Sequence, residues 1–121
     1  MGQFRVAYFP SDLGRSGDFY IDVLGFDVID SWDRPDSQGM LLDAGAGTVE
    51  LLAPAPSGGH VVGSALSLSV EVDDVDRRWQ MLTDRGLQDL AQPTTQPWGH
   101  RSISIEDPDG VTITFFQDLG H

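Results

Sequence analysis

A chain with no cysteine and no lysine has few routes to covalent chemistry, and this one has neither. There is no thiolate to act as a nucleophile or to hold zinc. There is no amine to form a Schiff base, because all seven basic residues are arginines. The three histidines have no metal-ligand spacing to one another. His60 falls in a linker, His100 follows Gly99 in a turn and His121 is the terminus, and all three read as exposed. No Ser-His-Asp order is recognisable, and Gly45-Ala46-Gly47 reads as a hairpin turn rather than a phosphate loop. What the chain does offer is aromatic surface. Trp98, between Pro97 and Gly99, and Trp32, at the tip of the second strand, present flat faces that suit planar aromatic groups or cations. Trp79 falls on a helix face and reads as core.

Charge narrows the partners. With 19 acidic and 7 basic residues the formal net charge is −12, the wrong sign for nucleic acid or an anionic membrane. Two readings of that charge remain, simple solubility and a field that draws in a cationic ligand. No signal peptide or long apolar run is evident at the start, so the chain reads as cytoplasmic. Its 121 residues read as a single domain, 1–121, of which 40 % is hydrophobic. That suffices for a core but leaves an open groove to be completed by dimerisation.

The elements that must position these residues come twice. Residues 3–9 read as a strand, Ser11 or Asp12 caps a helix running to about Leu24, and Gly25 ends it. Strands at about 26–30, 39–43 and 48–53 follow. The second half repeats the order at a nearly constant offset. Strand 65–72 is followed by Asp73 as a helix cap, a helix with Val75, Trp79 and Leu82 inward and its end near Gly86, then strands at about 87–90, 101–105 and 111–117. Asp107-Pro108-Asp109-Gly110 is a strong turn signal. The fold class is therefore α+β, with two βαβββ modules forming a curved mixed sheet around a cavity. The modules span 3–55 and 63–118, and the Pro- and Gly-rich stretch 54–62 links them.

Alternation separates two faces of the strands. Val49, Leu51, Leu66, Leu68, Val70, Ile103, Ile105, Ile113 and Phe115 form an apolar set that belongs under the helices. The opposite set is mixed, with small hydroxyls from both halves interleaved with Phe9, Leu52 and Phe116, as in the lining of a cup. The groove where the two halves meet is the expected site.

The combination of Ser11-Asp12-Leu13, Phe19-Tyr20 with Val23-Leu24-Gly25-Phe26, Gly47-Thr48-Val49-Glu50-Leu51, Pro97-Trp98-Gly99-His100-Arg101 and Asp107-Pro108-Asp109-Gly110 resembles the vicinal oxygen chelate superfamily. That superfamily includes glyoxalase I, extradiol dioxygenases and the bleomycin-resistance proteins. The resemblance spans nearly the whole chain and implies paired βαβββ modules, usually in a homodimer. Enzymes of the family hold a divalent metal with one inward residue from each of four strands. By motif those positions are Arg5, Glu50, Ser67 and Thr114, of which only Glu50 is a ligand type, so no metal and no cofactor is expected. Arg5 and Glu50 are expected to pair across the cup, either to hold the strands together or to contact a ligand.

The segment around Trp98 most resembles the binding and resistance branch, whose tryptophan at this place lines the ligand groove. The leading expectation is thus a non-catalytic protein that sequesters a small aromatic or cationic natural product. The ligand set is Arg5, Phe9, Trp32, Glu50, Leu52, Ser67, Ser69, Trp98, Ser102, Ser104, Thr114 and Phe116, with no catalytic residue. The alternative is an enzyme of the same superfamily, a lyase, isomerase or dioxygenase with unorthodox metal ligands or none, using Glu50 as a general base.

Overall fold

The computed structural model describes residues 4–54 and 66–120, so most of the linker, with His60, and the terminal His121 lie outside the described residues. Strand β1 is Arg5–Tyr8, and the helix α1 that follows is Leu13–Asp18. Asp12 caps it from an extended conformation, its carboxylate accepting the Arg15 N–H at 3.1 Å. The helix does not stay α to Leu24. It widens into a π-helical turn over Phe19–Val23, with the Leu24 N–H donated five residues back to the Phe19 carbonyl. Gly25, at φ +79°, then turns the chain into β2. Strands β2 (Asp27–Arg34), β3 (Ser37–Asp43) and β4 (Thr48–Ala53) complete the first module.

The second module repeats this plan with β5 (Ser67–Glu71), α2 (Val75–Asp84), β6 (Thr94–Thr95), β7 (His100–Glu106) and β8 (Thr112–Asp118). Its helix is capped one residue later than the sequence suggested. Asp74, not Asp73, is extended and accepts the Arg77 N–H at 3.0 Å, which is the same geometry that Asp12 has. Residues 87–90, expected as a strand, are not one. Gly86 and Asp89 both have positive φ, which breaks an extended run, and the Leu90 carbonyl accepts the Trp79 indole N–H instead of pairing in a sheet. The sixth strand forms later, at Thr94–Thr95.

Each module makes one four-stranded mixed sheet, in the orders β1-β4-β3-β2 and β5-β8-β7-β6. The first strand of each runs parallel to the last, and the other pairs are antiparallel. The fold is the expected α+β class. The apolar set alternates inward as anticipated, and one core joins both sheets through Tyr8, Val49 and Leu51 of the first and Val70, Ile103, Ile113 and Phe115 of the second. Phe26 meets Phe115 edge-on with ring centroids 6.4 Å apart. Arg78 of α2 lies over Phe115 and reaches the Leu24 carbonyl, while Arg85 reaches that of Asp22, so α2 caps the end of the first helical segment. Among the described residues no helix is long and apolar enough to cross a membrane.

Candidate functional site

Because the apolar faces share one core, the mixed faces of the two sheets lie outside it, and the candidate residues divide between them. Arg5 and Phe9 come from β1 and its end, Glu50 and Leu52 from β4 and Trp32 from β2. Ser67 and Ser69 come from β5, Ser102 and Ser104 from β7, and Thr114 and Phe116 from β8. Trp98 sits in the turn between β6 and β7 and is 65 % exposed.

On the first sheet the parallel register sets Ala7 beside Glu50, which makes Arg5 and Glu50 diagonal neighbours on one face. Their closest approach is 3.8 Å, with the Glu50 side chain 19 % exposed and that of Arg5 40 %. The expected pairing is there, but it runs between adjacent strands of one sheet rather than across a cup. Trp32, Gly39 and Leu52 fall in one row across β2, β3 and β4 on that same face. The Trp32 ring lies over Gly39, and its indole N–H donates to Ser37 Oγ at 3.2 Å. Only a residue without a side chain leaves room for that ring. Arg5, Glu50, Leu52 and Trp32 thus form a continuous surface with a charged end and an aromatic end.

On the second sheet the hydroxyls of Ser104 and Thr114 bond each other at 2.8 Å, and Gln96 donates to Ser102 Oγ. His100, expected in a turn, is the first residue of β7. It alternates onto the same face as Ser102 and Ser104 and stacks on Phe116, with centroids 4.6 Å apart and planes inclined by 18°. Extending the strand one residue further back would have revealed it.

The four positions to which the resemblance assigns a metal hold a guanidinium, a carboxylate and two hydroxyls, split between two sheets. Among the described residues no cluster of three or more His, Cys, Asp or Glu side chains is placed to hold a metal. A guanidinium against the one carboxylate supplies the positive charge that a metal would, so this donor set does not fit a divalent ion. A cavity of about 430 Å³ does exist between the edges of β1 and β5, but on the core side, lined by Phe4, Val6, Val49, Leu66, Leu68 and Ile113 among others. Its lining carries no titratable group, and of the candidate residues it includes Ser67 and Ser69 of β5.

The profile of the Glyoxalase/Bleomycin resistance protein/Dioxygenase superfamily matches residues 2–115. The chain belongs to this superfamily. A curated relative, a probable lactoylglutathione lyase from Synechocystis sp., is 26 % identical over 114 residues, covering 88 % of this chain and 87 % of the relative. Among solved structures, the antibiotic-binding protein TnmS3 from Streptomyces sp. CB03234 superposes with a TM-score of 0.77 at 25 % identity, covering 98 % of this chain and 96 % of that one. The bleomycin resistance determinant encoded on transposon Tn5 superposes at 0.74 and 22 % identity, covering 98 % of each chain. Both share the fold of this superfamily member, and the curated relative carries an enzyme's name.

Proposed function

We propose that this superfamily member binds and sequesters a small aromatic or cationic molecule without transforming it. The observation that carries the reading is the Arg5–Glu50 pair, in which a guanidinium faces the carboxylate that the resemblance would give to a metal. The exposed Trp98, the Trp32 ring on Gly39 and the hydroxyl-rich second sheet supply stacking and hydrogen bonding but no nucleophile. The likeness to an antibiotic-binding protein at 25 % identity agrees with this.

Since the two candidate faces lie on opposite outer sides of one core, the working site needs a second copy, which sets the first sheet of one chain against the second sheet of its partner. Truncating Trp98 to alanine removes a stacking face worth about 1–3 kcal/mol, a loss of roughly 5- to 150-fold in affinity. Tryptophan-quenching titrations against candidate antibiotics, run with melting curves, check this. Unchanged affinity, or a collapse of stability, assigns Trp98 to packing.

A second reading has one observation in its favour, the curated relative named as a lyase. In that reading Glu50 serves as a general base. Elemental analysis separates the binding reading from a metal-dependent form of the second, and loss of turnover in Glu50→Gln would identify its metal-free form. The binding reading expects no stoichiometric divalent metal after purification without a metal-affinity tag, and about one nickel, zinc, iron or manganese per chain overturns it.

A further inference from the structure

The His100–Phe116 stack stands in a particular charge environment. The β7–β8 register sets His100 opposite Asp118 and Ser102 opposite Phe116, and β5–β8 pairing sets Glu71 on the other side of Phe116. Side chains directly opposite one another in register share a face, so the two stacked rings lie between two exposed carboxylates. No arginine of this module offsets them. Arg101 points to the other face and is held by both oxygens of Asp76 at 3.0 Å. Arg78 lies over Phe115 on the core side, Arg85 reaches back to the Asp22 carbonyl, and Arg77 belongs to α2.

The strand end that carries the His100 ring is held by backbone hydrogen bonds. The Gln96 N–H donates to the His100 carbonyl at 2.6 Å, and the Leu119 N–H donates to that of Gly99 at 2.9 Å. An aromatic surface already flat and fixed loses little entropy when a further ring is laid on it. Electron-rich faces with carboxylates at their edges favour a positively charged ring over a neutral or negative one. Each carboxylate is exposed, so stacking supplies most of the affinity and the charges supply the selectivity.

We propose that this part of the second sheet is a subsite for a planar aromatic cation, seated on the His100–Phe116 stack between Glu71 and Asp118. The proposal rests on the binding function above and adds to it the sign of the ligand's charge and the residues that read it.

The test uses two flat probes of opposite charge, proflavine and anthraquinone-2-sulfonate, titrated against the intact protein at low salt. Proflavine is expected to saturate at one per chain, at least tenfold tighter than the sulfonate, and to weaken as salt rises. Phe116→Leu is expected to weaken proflavine by about 5- to 100-fold. Glu71→Gln combined with Asp118→Asn, both surface changes that leave packing alone, is expected to cost about 3- to 10-fold for proflavine and nothing for the sulfonate. Glu106→Gln, at the far end of β7 from His100, should leave both unchanged. Equal binding of the two probes, or proflavine binding indifferent to the double charge variant, overturns the proposal. If that binding still depends on Trp98, the groove itself stands. Absence of binding by either probe overturns the proposal, and if the antibiotic titrations above also fail, the binding function falls with it.

Discussion

Asp107 is 5 % exposed, and its carboxylate accepts four hydrogen bonds. One oxygen accepts the Tyr8 hydroxyl at 2.5 Å and that of Tyr20 at 2.9 Å, and the other accepts the backbone N–H groups of Asp109 and Val111. Two tyrosines of the first module are thereby fastened to a turn of the second, and the neighbouring Ser11 and Asp109 side chains add a further bond. The Asp-Pro-Asp-Gly turn was legible in the sequence; its tyrosine partners, some ninety residues away, were not, because strand alternation gives a residue's face and not what meets it. Charge-assisted hydrogen bonds contribute about 1.5–3 kcal/mol each. Asp107→Ala is therefore expected to cost about 3 kcal/mol or more, a drop of roughly 10 °C in melting temperature. The same cluster sets the response to alkali. Burial, first, and then the neighbouring charges push both phenols above their ordinary range. The folded chain holds these protons after the unfolded chain has lost them, so the stability they contribute is fully present below a pH of about 10 and is lost as pH rises beyond it. With no cysteine or lysine to titrate nearby, these two tyrosines, the only ones in the chain, dominate that region. The denaturant midpoint should fall above pH 10, and Tyr8→Phe should flatten the fall.

At the scale of elements, the repeat and the strand faces were readable because alternation and the paired caps are local signals. Asp12 and Asp74 cap their helices identically, and the apolar set of the strands is buried almost throughout. The failures share a cause, which is backbone geometry that no side-chain pattern encodes. These are the π-helical turn after Asp18, the positive φ of Asp89 and the extension of β2 to Arg34. Gly39 belongs with these. Alternation marks it only as the start of a strand, whereas its missing side chain is what leaves room for the Trp32 ring on the candidate face. A Cβ there would run into the Trp32 ring and come within 2.9 Å of the Leu51 carbonyl oxygen. Gly39→Ala should thus cost about 1–3 kcal/mol and shift the Trp32 emission. In the double variant with Trp32→Ala the added cost should shrink, leaving only the backbone contact. Strictly additive costs would mean that the ring does not rest on the glycine.

For the whole molecule, the arrangement of two modules around one core decides where a ligand can be enclosed. Arg5, Glu50, Leu52 and Trp32 occupy the outer face of the first sheet, and Ser67, Ser104, Thr114 and Phe116 that of the second. Neither open face buries much of a small molecule by itself, whereas a tight site covers most of its ligand's surface. Val28 and Ile29, on the edge strand β2, are about half exposed, which leaves apolar surface for a partner to cover. Light scattering at micromolar concentration should report a dimer, and a monomer would end this account of the site. Mixing variants tests how the halves combine. Trp32→Ala damages only the first face and Trp98→Ala only the second, so each homodimer has two damaged sites. If every site joins the first face of one chain to the second face of its partner, a mixed dimer gathers both lesions into one site and leaves the other intact. Unfolding and refolding the two variants together should then restore high-affinity binding with about half of the mixed dimers' sites competent. If the faces of a single chain made the site, every site in the mixture would keep one lesion and no high-affinity binding would return.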